Sequence, residues 1–214
     1  MTYQECKNQV LKLLNQYTIA GGSVPVSYNN QEDYIRRIPG LINDAMMEIS
    51  TTVRKIEESM ELTAAAAESS TDREFTYVLP ENFYQFKSGD NFLLLWGRER
   101  RNQAYAYHGR KRIVVPRVLV EKCSPELIYY RYPTLLNEDD DQVDPDTELD
   151  NVTEAHRAIP YYVAGTLALH DDPFLSATLM NGYEDKLAKM EPPITVEQAP
   201  VQDMYDFYRY TELY

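Results

Sequence analysis

From Tyr34 to Ile56 the chain reads YIRRIPGLINDAMMEISTTVRKI. Its apolar residues return every third or fourth position: Ile35, Ile38, Leu41, Ile42, Ala45, Met46, Ile49, Val53 and Ile56. That spacing matches the turn of an α-helix and predicts a long helix with one wide apolar face. Such a face must be covered by another element. Three further stripes can cover it. Tyr3, Cys6, Val10, Leu13, Leu14 and Tyr17 predict a first helix from Thr2 to about Tyr17. Ala155, Ile159, Tyr162, Val163, Thr166 and Leu167 predict a third helix beginning near Asn151. Leu175, Leu179, Tyr183, Leu187 and Met190 predict a fourth from Pro173, a residue suited to a first helical turn. The four stripes predict one bundle.

Punctuation supports these bounds. Ala20-Gly21-Gly22-Ser23 and Pro25 end the first helix. Asn30 can cap the second, with Gln31, Glu32 and Asp33 in its first turn. Pro39 inside the second stripe marks a kink or a restart. Asn151 and Glu154 have capping-box spacing, and Pro192-Pro193 stops the fourth helix. Arg36–Pro39 and Arg157–Pro160 share the form Arg-x-Ile-Pro, each ending nine residues past a proposed cap. This is either coincidence or a pair of matched kinked helices.

Between the helix pairs the pattern changes. Residues Ala64 to Thr71 are small and polar, and read as a loop. Short aromatic or alternating runs then follow at Glu74–Leu79, Phe83–Lys87, Asn91–Trp96, Ala104–His108, Arg112–Val115 and Glu126–Tyr132, each bounded by turn residues. The expected fold is therefore mainly α. It is a four-helix bundle from residues 1–62 and 150–190, with a β-rich insertion and acidic loop over 63–149 between helices two and three. Residues 191–214 form an extended C-terminal arm. Its PPITVEQAP stem is too proline-rich for a central strand.

Net charge is −13 and the isoelectric point about 4.7, which disfavours a nonspecific nucleic-acid coat. The two cysteines, Cys6 and Cys123, make no disulfide framework and fit a reducing compartment. MTYQECKNQV holds no apolar core of signal-peptide length, and no apolar run is long enough to span a membrane.

Enzymatic motifs are weak. His170-Asp171 resembles half of an HD-type metal site, but His156 lies fourteen residues upstream on the same expected helix. The helical rise separates the two by about 21 Å. His108 falls in the β insertion with nothing tying it to them. The run Glu138-Asp139-Asp140-Asp141, continuing through Asp144, Asp146, Glu148 and Asp150, lacks the glycine and closing glutamate of an EF-hand. It reads as a solvated, self-repelling loop. No Walker loop, dinucleotide fingerprint or activated nucleophile occurs, so no catalytic residue, metal or cofactor is expected.

Two segments suit partners instead. Arg98, Arg100, Arg101, Arg110, Lys111 and Arg112, with Arg117 and Lys122, gather in the β insertion of an otherwise acidic chain. They could meet carboxylates of the same or a neighbouring subunit, another protein, or DNA. The last twelve residues, DMYDFYRYTELY, concentrate Tyr205, Phe207, Tyr208, Tyr210 and Tyr214. Tyrosine's flat apolar ring and polar tip suit interfaces.

On IRRIPGLINDAMMEISTTVRKI, EFTYVLPENFYQFKSGDN, LIYYRYPTLLNEDDDQVD and the helix pair from Asn151, the chain resembles the head-to-tail adaptor, or connector, proteins of tailed bacteriophages. The resemblance covers most of residues 1–190. It implies a structural virion protein and not an enzyme. Such proteins form a ring, usually of twelve subunits, beneath the portal. The ring extends the DNA channel and joins the capsid to tail or neck proteins. The resemblance further implies contact of the C-terminal arm with the portal or an adjacent subunit, and transient nonspecific contact with passing DNA. It implies no membrane contact and a place in the virion neck after assembly in the host cytoplasm. A tail-completion or other neck protein is the alternative of the same class. An HD-like phosphohydrolase is the alternative of another.

Overall fold

The structure, a computed structural model, describes residues 1–14, 31–87, 93–95, 98–100, 106–108, 112–123 and 125–190. The chain divides into two compact units. One joins Met1–Ile56 to Tyr132–Pro192, and the other includes Glu57–Arg131.

In the first unit, helix α1 spans Tyr3–Leu13. Thr2 starts it with a capping box: its hydroxyl accepts from Glu5 N–H, and the Glu5 carboxylate accepts from Thr2 N–H. The next free N–H groups are also used. Tyr3 N–H donates to Thr147 C=O at 2.8 Å and Gln4 N–H to Pro145 C=O at 3.1 Å. Helix α2 spans Gln31–Glu48 and runs through Pro39 without a break. It widens into a π-helical turn over Ile49–Val53. There the Ser50, Thr51 and Thr52 hydroxyls donate to carbonyls of Met47 and Glu48, back-bonding that loosens a helix end. The helix stops at Arg54, whose backbone is extended, so Ile56 lies beyond the helix that its periodicity predicted.

The third predicted helix is shorter than its stripe. Asn151 accepts from Val152 N–H and donates to Met46 C=O, and so forms no capping box. A 3-10 turn at Ala155–Arg157 comes first, and α4 runs only over Ile159–Ala168. Pro160 thus opens a helix whereas Pro39 sits inside one, so the two Arg-x-Ile-Pro motifs do not mark matched kinks. Helix α5, Pro173–Ala188, begins where predicted, with Asp172 as its cap. Helices α4 and α5 approach closely at two glycines. A methyl on Gly165 would lie 2.9 Å from Met180 Sδ, and one on Gly182 would lie 2.9 Å from the Tyr161 ring. One apolar core joins Cys6 and Val10 of α1, Ile38, Ile42 and Met46 of α2, Val163 and Leu167 of α4, and Leu179 of α5.

The second unit is built on strands. They are β1 Ile56–Glu61, β2 Ser69–Ser70, β3 Glu74–Val78, β4 Phe83–Phe86, β5 Leu93–Leu95, β6 Arg98–Arg100, β7 Ala106–His108, β8 Arg112–Pro116 and β9 Glu126–Arg131. A five-stranded sheet has the order β1-β9-β5-β6, with β4 also on β9. The registers Phe86↔Tyr129 and Leu93↔Leu127 put β4 and β5 one after the other along β9, as two halves of an interrupted strand. A four-stranded sheet has the order β2-β3-β8-β7. Along β3, Phe75 and Tyr77 are buried while Glu74 and Val78 are exposed, the alternation of a half-covered strand. A short helix α3, Arg117–Cys123, turns Leu119, Val120 and Cys123 onto the same core as Phe75, Tyr77, Ile113 and Leu127.

This overturns the expectation of a mainly α protein made of a four-helix bundle with an insertion. The protein is mixed α/β. The reason is physical: Glu57–Arg131 has an apolar core of its own, two sheets and a helix, and so forms a compact unit in its own right.

Candidate interaction surfaces

Arg98 and Arg100 lie on β6 in the five-stranded sheet, and Arg112 lies on β8 in the other. Arg101, Arg110 and Lys111 lie outside the described residues. Arg112 makes a two-pronged contact with Glu68: Nε donates to one carboxylate oxygen and Nη2 to the other, both at 2.8 Å. This planar fit is the geometry guanidinium and carboxylate prefer. Glu68 raises the Arg112 pKa further above its ordinary value, first through the hydrogen bond and then through its charge. Arg117 is also engaged within its own chain. It donates to Thr71 C=O and to Glu121, and its guanidinium carbon sits 4.7 Å from the centre of the Phe75 ring.

A second charged network lies on β1 and β9 and at Lys87, just after β4, and the helical reading of Ile56 hid it. Glu58 accepts from the Tyr129 hydroxyl at 3.1 Å and pairs with Arg131 at 3.0 Å. Burial pushes the Tyr129 hydroxyl up to about 12, and the Glu58 carboxylate adds to the shift. Glu57 pairs with Lys87 at 3.3 Å. The signal available in the sequence was the polar stretch Glu57-Glu58-Ser59, which no buried helix face could hold.

The acidic stretch is an exposed loop with one 3-10 turn, held by hydrogen bonds from its own backbone to its side chains. Asn137 accepts from Asp139 N–H, Asp139 from Asp141 N–H, and Asp144 from Asp146 N–H. These side chains satisfy the backbone in place of a ladder partner. Val143 and Leu149 are buried beneath them. Leu149 N–H donates to Met1 C=O, and Thr2 bridges Glu148. Just upstream, Asn43 of α2 reaches Leu136. Its amide donates to Leu136 C=O at 2.9 Å and accepts from Leu136 N–H at 2.8 Å, all buried.

The two histidines serve different surroundings. Both ring nitrogens of His156 are engaged. Nε2 donates to Leu149 C=O at 3.1 Å, which leaves Nδ1 to accept from the Met1 amino group at 3.1 Å. Burial, then the positive amine, hold its pKa below the ordinary value. His170 is exposed in the turn after α4. Its neighbour Asp171 accepts from the Tyr34 hydroxyl, and Asp172 accepts from Leu175 N–H at 2.9 Å. The pair therefore fixes the α4–α5 turn. Among the described residues no group of three or more His, Cys, Asp or Glu could hold a metal ion. No helix among them is long and apolar enough to cross a membrane. Phe174, the second residue of α5, is 84% exposed and was not singled out by its sequence. The arm aromatics Tyr205, Phe207, Tyr208, Tyr210 and Tyr214 lie outside the described residues.

What these surfaces share, among the described residues, is ion pairs, carbonyl clamps and an exposed aromatic. No curated protein matches the chain. The sequence model of one family, described as SU10 adaptor protein, matches residues 1–202, which takes in all the described residues. The chain belongs to the SU10 adaptor protein family, a family of phage head-tail adaptors.

Proposed function

We propose that this chain assembles into a closed ring, of twelve subunits, beneath the portal of a tailed phage, where it extends the DNA channel and joins the capsid to the tail. The single observation that supports this reading is family membership over residues 1–202. Its work is mechanical: rigid units repeat about an axis, each presenting one surface to the neighbour before it and another to the neighbour after. The chain carries no catalytic role in this reading. A net charge of −13 suits a channel wall, because DNA phosphates are repelled from it during passage. Basic residues of the β unit face protein carboxylates, in the manner of Arg112 on Glu68. The C-terminal arm from Pro192 docks on the portal or an adjacent subunit through its aromatic tip. That tip begins beyond the matched residues 1–202, which suits a contact particular to this chain's own partner.

Electron microscopy of particles assembled with and without the chain tests the reading. Tail-less capsids that leak DNA are expected without it, and a ring of density below the portal with it. Complete, tailed particles in its absence would overturn the proposal.

A further inference from the structure

The C-terminal part of α2 carries two carboxylates that no described residue neutralises. Asp44 and Glu48 stand four residues apart, on one face of the helix, and both are exposed. Neither makes an ion pair among the described residues, and the last turn of α2 holds no basic residue. The arginines of α2, Arg36 and Arg37, pair with Glu32 and Asp33 near its other end. Like charges at this spacing repel and weaken a helix, and a cation between them relieves the repulsion. Two tyrosines stand against the pair. Tyr162 of α4 and Tyr183 of α5 pack with ring centres 5.2 Å apart, tilted by 58°. Tyr183 is 3% exposed, and its buried hydroxyl has no hydrogen-bond partner. It faces the Glu48 carboxylate at an approach too loose for a bond of normal geometry. Burial, then the Glu48 charge, hold this hydroxyl above its ordinary pKa, so it keeps a proton to donate. Tyr162 is raised by burial and then by Glu48 and Asp44, which sets its ring beside both carboxylates. We propose that Asp44, Glu48, Tyr162 and Tyr183 form a docking site for an arginine side chain of another protein chain.

A guanidinium is planar, and its forked N–H donors span two carboxylates while its face lies on an aromatic ring. Its charge removes the repulsion between Asp44 and Glu48. Glu48 then draws in to accept from the Tyr183 hydroxyl, which makes Tyr183 a positioning residue. The α4–α5 pair already holds a cation on a tyrosine elsewhere, with Lys186 Nζ 4.4 Å from the centre of the Tyr161 ring. A lysine ammonium is a point charge and cannot fork across both carboxylates. A metal ion fits less well. Hard cations need several oxygen ligands, and among the described residues no third carboxylate, histidine or cysteine joins these two. DNA is repelled by the same pair of charges. The site stands apart from the ring proposed above. That its occupant is a protein rests on the family's adaptor role between head and tail.

The test titrates the full-length chain, with isotope-labelled tyrosine rings, with the amide of Nα-acetylarginine in an NMR experiment. The Tyr162 and Tyr183 ring signals should shift and saturate. The matching citrulline amide, of the same shape but neutral, should bind about tenfold more weakly or worse. Asp44→Asn with Glu48→Gln keeps both side-chain sizes and should weaken binding about tenfold, with the fold checked by circular dichroism. Tyr183→Phe keeps the stacked ring. It should weaken binding about threefold, read on Tyr162, without lowering the melting temperature, because the hydroxyl it removes has no partner. A loss of stability in that variant would overturn the positioning role. Equal binding of the citrulline amide, or unchanged binding by the double variant, would overturn the site. Equal binding of the lysine amide would overturn the choice of arginine, and tighter saturation by magnesium chloride would make this a metal site instead. In assembled particles the double variant should be incorporated about tenfold less. Normal incorporation beside intact arginine-amide binding by the unaltered chain would overturn a virion protein as the occupant and leave the adaptor role standing.

Discussion

Asn43→Ala should be among the most damaging single changes to the helical unit. The side chain of Asn43 is buried, 7% exposed, and makes two hydrogen bonds to one residue, to Leu136 C=O at 2.9 Å and from Leu136 N–H at 2.8 Å. No ladder or helix bond serves these two backbone groups among the described residues, so alanine strands a donor and an acceptor together. A buried group left unsatisfied costs about 1–3 kcal/mol. Leu136 is 9% exposed, at the margin of the core, so water can reach part of the gap. The expected loss is therefore about 2–4 kcal/mol in all. Urea unfolding followed by far-UV circular dichroism reads this loss on the helices. With a slope of about 2 kcal/mol per molar urea, the midpoint should fall by about 1–2 M. Asn43→Asp separates the two roles. Its carboxylate still accepts from Leu136 N–H, but it faces the Leu136 carbonyl oxygen with a lone pair and carries a buried charge. It should be worse than alanine at neutral pH and recover as acid protonates it. A midpoint shift under about 0.3 M for Asn43→Ala would refute the reasoning, because it would mean that neither backbone group depends on the amide.

Gly165→Ala should destabilise by about 1 kcal/mol: the helix gains up to about 1 kcal/mol, but overpacking costs about 1–3. Adding Met180→Ala should recover part of the overpacking loss, since Met180 Sδ is the nearest obstacle; thermal melts of both variants decide it. The folded state holds His156 below its ordinary 6.5, so the unfolded chain binds the proton more readily. Stability should be full above that value and fall as pH drops from it toward the folded pKa. His156→Gln should flatten the pH dependence of unfolding just below 6.5, above the range where carboxylates titrate; an unchanged slope would count against the histidine. Cys6 is fully buried and its thiol is pushed up to about 12 by that burial. An aromatic disulfide reagent should therefore modify it only on unfolding, and rapid reaction in native buffer would contradict the placement. Arg112→Ala removes an exposed pair and should leave the midpoint of an unfolding titration nearly unchanged.

By itself the sequence determined the elements whose periodicity is enforced by one continuous core. Tyr3, Cys6, Val10 and Leu14, then Ile38, Ile42, Ala45, Met46 and Ile49, and Leu179 with Tyr183 are buried as their stripes require, and Pro173 opens its helix because its missing N–H costs nothing there. The spaced runs at Glu74, Phe83, Arg112 and Glu126 were likewise legible as strands, because alternation and turn residues act locally. The family resemblance was legible too, in stretches that bury or cap without catalysing. Tertiary structure alone decided the rest. Ile56 fits a helical stripe, yet it opens strand β1, whose neighbour in the sheet is β9. The acidic stretch is an exposed loop, as its charge suggests, but its anchoring is tertiary: Tyr3 and Gln4 donate to Thr147 and Pro145 carbonyls, and Leu149 to that of Met1. Fold class failed for the same reason. Whether sixty-odd residues of strands decorate a bundle or own a core depends on long-range pairing such as β3 with β8, and no local pattern carries that information.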